Sequence, residues 1–174
     1  QSAIEEYRHA IRCRQWDTLA REGLGQCLVE LGQIDQALNV YEDLRETDPL
    51  HTPSHYNLGL VYQRLGRVNE AFASYEQAIH LDPDHALAHN NLGMLLATIG
   101  RPQEAVPHFE AALKVRPHDV STHVNMALAM ASLGRHDQTL SHVEQALAIE
   151  PDHVGALRIQ ARLLATEPTG NENA

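Results

Sequence analysis

Apolar residues recur along this chain with the period of a helix, in short bursts closed by single glycines and prolines. Between Ser54 and Leu65 they fall at Leu58, Val61, Tyr62 and Leu65. That spacing is one face of a helix with about 3.6 residues per turn. Gly66 follows, and glycine adopts the left-handed conformation that ends a helix. Between Asn69 and Leu81 the apolar set is Ala71, Phe72, Tyr75, Ala78 and Ile79, again on one face. Pro83 cannot continue that helix and disfavours helical geometry just before it. The stretch reads as two helices joined by a tight turn.

The same unit recurs. Prolines stand at 49, 83, 117 and 151 and glycines at 32, 66, 100 and 134, each spaced by 34. In blocks of that length, the seventh position reads Leu24, Leu58, Leu92 and Met126, and the eighth Gly25, Gly59, Gly93 and Ala127. The twentieth reads Ala37, Ala71, Ala105 and Thr139, and the twenty-fourth Tyr41, Tyr75, Phe109 and Val143. Small residues at eight and twenty let two helices approach closely, beside large side chains that fill the adjacent space. Asp35, Asn69 and Asp137 lie near the starts of second helices, where an oxygen acceptor suits unpaired N–H groups, and Pro102 fits a first turn.

These residues resemble the tetratricopeptide repeat (TPR), a 34-residue helix–turn–helix unit. The resemblance implies an all-α fold, an α-solenoid of stacked helix pairs in a right-handed superhelix. It divides residues 1–165 into a lone second helix (1–17), four full repeats (18–51, 52–85, 86–119 and 120–153) and a terminal helix (154–165). Ten helices are expected, with residues 166–174 as a disordered polar tail. The first helix starts in mid-repeat, which implies a longer protein upstream. It is expected to expose Ile4, Tyr7 and Ile11, a face open to weak self-association.

Composition narrows the function. Net charge is −10, without the basic footprint of a nucleic-acid partner. No apolar run approaches the ~18 residues of a membrane helix, so no membrane insertion is expected. Cys13 and Cys27 make neither a disulfide framework nor a zinc site and read as buried thiols, which weakly favours a cytoplasmic setting. His51/His55 and His85/His89 have the i, i+4 spacing of helix metal ligands, and His118, Asp119 and His123 offer a looser set. In this repeat, however, one member of each pair starts a helix and the other fills the buried fourth position. No bound metal is expected. No phosphate-cradling, nucleophile-elbow or H-E-x-x-H motif is present, and the chain reads as neither an enzyme nor a cofactor carrier.

In the TPR family the first helices line a concave groove. The residues of this chain at those places are Tyr56, Asn57 and Leu60, then Leu87, Asn90, Asn91 and Met94, then Val124, Asn125 and Leu128. Asn57, Asn91 and Asn125 repeat at one equivalent place, similar to the asparagine ladder in the TPR region of O-linked N-acetylglucosamine transferases. An amide both donates and accepts, so it can pair with a peptide backbone of any sequence. The corresponding sites of the four full repeats hold no Lys or Arg at the second, fifth and sixth positions, which argues against a clamp for a terminal carboxylate. The resemblance implies a protein-interaction scaffold that holds a partner peptide. The alternative is the substrate-recruiting segment of a larger enzyme, such as a glycosyltransferase. Far-ultraviolet circular dichroism should show a helical spectrum with no β component, and thermal unfolding should be broader than in a globular domain, because contacts are nearest-neighbour.

Overall fold

The computed structural model describes residues 2–13 and 18–166. Among these the chain forms ten helices and no strand. They are α1 (Ser2–Cys13), α2 (Thr18–Glu30), α3 (Ile34–Thr47), α4 (Thr52–Arg64), α5 (Val68–Leu81), α6 (Ala86–Thr98), α7 (Pro102–Val115), α8 (Val120–Ser132), α9 (His136–Ile149) and α10 (Val154–Thr166). The expected tail beyond Thr166 and the side chains of Ile11 and Cys13 lie outside the described residues. Two compact units result, residues 1–83 with α1–α5 and residues 84–174 with α6–α10.

Each pair turns on a glycine with positive φ. Gly66 has φ 71°, which frees the chain to reverse and lets the Arg67 amide donate to the Tyr62 carbonyl at 2.8 Å. Gly32, Gly100 and Gly134 repeat that conformation. Within a pair, the close approach lies where the sequence put it. A Cβ on Gly59 would overlap the Tyr75 ring, and one on Gly93 would lie 2.8 Å from Phe109 Cε1. Tyr41, Tyr75, Phe109 and Val143 are all fully buried. In the fourth repeat Ala127 takes the glycine's place and Val143 the ring's, both within one buried cluster.

The histidines organise the junctions between repeats. His51 Nδ1 accepts from the Ser54 amide at 3.2 Å, His85 Nδ1 from Ala88 at 3.1 Å and His153 Nδ1 from Ala156 at 3.2 Å. Each caps the first turn of α4, α6 or α10. Asp119 does the same for α8, accepting from the Thr122 amide at 2.8 Å. His55 and His123 are buried and place Nε2 at 2.8 Å and 2.9 Å from the carbonyls of Pro49 and Pro117. Because a carbonyl only accepts, Nε2 carries the proton in both. Arg21, at the equivalent place in the first repeat, pairs with Asp43 at 3.1 Å. The second helices are built differently: residues 33, 67, 101 and 135 make no side-chain cap. Arg67 and Arg101 instead pair with Glu70 and Glu104 one turn on.

Two buried imidazoles pair with an imidazole of the second helix. His89 Nδ1 lies 3.1 Å from His108 Nδ1, and His123 Nδ1 lies 3.2 Å from His142 Nδ1. The ring centroids are 5.4 Å and 5.5 Å apart, near the largest separation those contacts allow. Each ring therefore points straight at the other, the geometry of an N–H···N hydrogen bond rather than of two lone pairs meeting at a metal. Since His123 Nε2–H faces Pro117, a neutral His123 accepts at Nδ1 and His142 donates.

One expectation changes. Ile4 is buried and Tyr7 half-buried, its ring lying over Gly23, so the face expected open on α1 is in part turned onto α2. Glu42 is half-buried and accepts from the Tyr62 hydroxyl at 2.7 Å.

Gly59→Leu should destabilise the protein by at least about 1–3 kcal/mol, the usual cost of overpacking. Gly93→Ala should also destabilise it, and adding Phe109→Val, which copies the Ala127 and Val143 pairing, should recover part of that loss. Urea unfolding of the double-mutant cycle should give a coupling of about 0.5–3 kcal/mol. Strictly additive losses would show that the two side chains do not share one space.

Acid should weaken the junctions. Burial and the partner imidazole hold His108 and His142 below the ordinary value of 6.5, while Glu104 pulls His108 partly back. Well above about pH 6.5 the unfolded chain's imidazoles are neutral too, and stability is full. As pH falls, the unfolded chain takes up protons that the folded pairs resist, and stability declines through the depressed values. Urea midpoints should therefore fall as pH is lowered from about 7.5 to about 5.5, across the range in which a free imidazole titrates. The double variant His108→Gln/His142→Gln should take up fewer protons on unfolding.

Candidate functional site

The first helices of the second unit, α6 and α8, contain no Asp, Glu, Lys or Arg, and α10 contains only Arg158 and Arg162. The acids of that unit's helices sit on the second helices: Glu104 and Glu110 on α7, Asp137 and Glu144 on α9. The unit thus carries one neutral face in an acidic chain.

Of the residues expected there, Leu87 and Leu128 are exposed at 39% and 46%, large values for leucine in a folded helix. Asn90, Asn91, Met94 and Asn125 are half-buried. The amides bond to one another across the helices. Asn125 Nδ2 donates to Asn90 Oδ1 at 3.0 Å, and Asn90 Nδ2 donates to Asn91 Oδ1 at 3.3 Å. Each amide has two N–H groups and two lone pairs, so these bonds fix orientation and leave further capacity on the set. The spacing of 34 suggested independent rungs, whereas Asn125 reaches the residue beside its counterpart. Val124 is half-buried and packs against the cluster under α10, so it supports the face from beneath.

In the first unit, Tyr56, Asn57 and Leu60 are half-buried on α4. The Tyr56 ring lies 6.1 Å from the Tyr75 ring, which ties this first helix to its own second helix. The helix α4 likewise has no Asp or Glu and carries Arg64 as its one charged side chain.

A cleft of about 270 Å³ opens beside Leu128. Leu128 and Ala131 from α8 and Ile159 and Leu163 from α10 make its apolar wall, with Arg162 and His136 at the rim. The α10 residues were not anticipated as part of a site. The signal was present, since Arg158, Ile159 and Arg162 continue at spacing 34 from Val124, Asn125 and Leu128. Among the described residues no group of three or more His, Cys, Asp or Glu could hold a metal ion, and no helix is long and apolar enough to cross a membrane.

Three models described as tetratricopeptide repeat match the chain, at residues 23–76, 51–118 and 96–163. No curated protein sequence matches it significantly. Among solved structures, the MamA protein is similar at 20% identity and a TM-score of 0.75, over 85% of this chain and 81% of that one. The TPR protein TTC0263 of Thermus thermophilus is similar at 21% identity and 0.71, over 93% and 87%. A chain of the APC/C hetero-tetramer Cut9–Hcn1 is similar at 21% identity and 0.84, over 92% of this chain and 32% of that one. With the repeat models running from residue 23 to 163 and ten helices in matching phase, the chain belongs to the tetratricopeptide repeat family.

Proposed function

We propose that this chain is a non-catalytic interaction module that holds an extended segment of a protein partner against its first helices. The observation that carries the reading is the neutral face of α6 and α8, where a bonded set of three amides is flanked by half-exposed Leu87, Met94 and Leu128. Exposed aliphatic area supplies affinity through burial, about 25 cal/mol per Å² removed from water. The amides supply backbone hydrogen bonds without demanding a particular partner sequence. Tyr56, Asn57 and Leu60 present the same residue types on α4. That a protein of this fold is found in the Cut9–Hcn1 assembly agrees with a protein partner. Serving as the substrate-recruiting segment of a larger enzyme would use the same surface.

The test is titration of a peptide selected from a random-peptide phage library against Asn90→Ala/Asn91→Ala/Asn125→Ala. With neutral hydrogen bonds contributing about 0.5–1.5 kcal/mol each, the triple variant should bind about 1–4 kcal/mol more weakly while its circular dichroism is unchanged. Equal affinity in a folded variant would place the partner elsewhere.

A further inference from the structure

We infer that the cleft between α8 and α10 selects partner segments in which a bulky apolar side chain stands within two residues of an Asp or Glu. This rests on the partner-binding reading and names the chemistry it selects.

Two independent observations meet here. The first is the apolar cleft, whose wall of Leu128, Ala131, Ile159 and Leu163 is open enough to admit a side chain. The second is the pair of arginines on α10. Arg158 and Arg162 are exposed and spaced i, i+4, on successive turns of one helix face. Neither makes an ion pair or a side-chain hydrogen bond among the described residues. The arginines at 8, 21, 67 and 101 have a carboxylate partner, while those at 45, 64, 116 and 135 have none among the described residues.

The repeat register explains how Arg162 comes to the cleft. Arg162 stands where the earlier repeats hold Leu60, Met94 and Leu128, and Arg158 where they hold Tyr56, Asn90 and Val124. In the second unit the apolar row of Met94 and Leu128 therefore ends in a guanidinium, with Arg158 one turn before it. Since α6, α8 and α10 carry no carboxylate, nothing on these helices neutralises them. A guanidinium pairs with a carboxylate through parallel N–H···O bonds, and the cleft wall beside Arg162 lowers the local dielectric and strengthens the pair. Complementarity of both charge and shape thus selects an acidic residue next to an aliphatic or aromatic one. We assign the carboxylate to a side chain of an internal segment, a free C-terminus being the alternative that the experiment separates.

The experiment pans two random-peptide phage libraries, one with peptides joined to the coat protein through their C-termini and one with free C-termini. Selections run against the wild-type chain, Arg162→Glu and Arg116→Glu, the last an exposed arginine beyond α7 that changes net charge equally. Peptides from the first library should carry Asp or Glu within two positions of Leu, Ile, Phe or Met. They should bind Arg162→Glu about tenfold or more weakly, and Arg116→Glu nearly as well as wild type. Enrichment from the free-terminus library alone would overturn the proposal in favour of a terminal carboxylate. Peptides that ignore Arg162→Glu but lose affinity in the triple asparagine variant would overturn it while the binding-face reading stands. No enrichment from either library would overturn both.

Discussion

Each helix pair of this chain is spaced by one residue lacking a large side chain set against one bulky partner. The exchange favours the fold because the terms differ in size. Glycine in a helix interior costs about 1 kcal/mol relative to alanine, while burying a large apolar side chain contributes about 1.5–3 kcal/mol. Tyr75 gains further from its hydroxyl, which donates to Gln63 at 2.8 Å and so satisfies the polar end of a buried ring. The fourth repeat shows the two sizes changing in opposite directions. Its Ala127 adds a methyl and its Val143 gives up a ring, and both remain fully buried. With the two backbones fixed at close range, the outer side of each first helix is fixed as well, and that side is the candidate site.

From the second repeat onward, charge follows the same division. The second helices α5, α7 and α9 carry Glu70, Glu76, Glu104, Glu110, Asp137 and Glu144, whereas α4, α6, α8 and α10 carry no acid; α2 departs, with Glu22 and Glu30. Helices α4 and α8 are each flanked by their own second helix and by the helix before, so little of their circumference meets water. Carboxylates there would lose solvation without gaining a cation, while the second helices keep a broader solvated side. An acidic chain and a low-charge candidate face are therefore compatible.

Much of this was legible in the sequence because it depends only on spacing. Period and phase marked ten helices, the reversing glycines and the Gly59–Tyr75 contact, since each follows from where a residue falls around a helix. The candidate site was legible only in part. Spacing places Asn91 and Asn125 at equivalent angles, yet a side-chain amide reaches sideways, and Asn125 found Asn90 instead. The contribution of α10 was hidden because its arginines differ in type from the leucine and methionine they follow in register. The paired imidazoles were hidden too, because His108 and His142 lie on second helices, 19 residues from their partners, a separation no motif records.

The mixed capping of the first helices has a consequence for what each junction tolerates. The helices α6 and α10 begin on imidazole caps, His85 and His153, while α8 between them in sequence begins on the Asp119 carboxylate. A ring nitrogen offers one lone pair, whereas a carboxylate oxygen offers more than one. Asp119 Oδ2 accordingly accepts from both the amide and the hydroxyl of Thr122, while each imidazole accepts from one amide. An imidazole at 119 would leave the buried Thr122 hydroxyl in need of another acceptor, so the two residues form one unit of exchange between repeats.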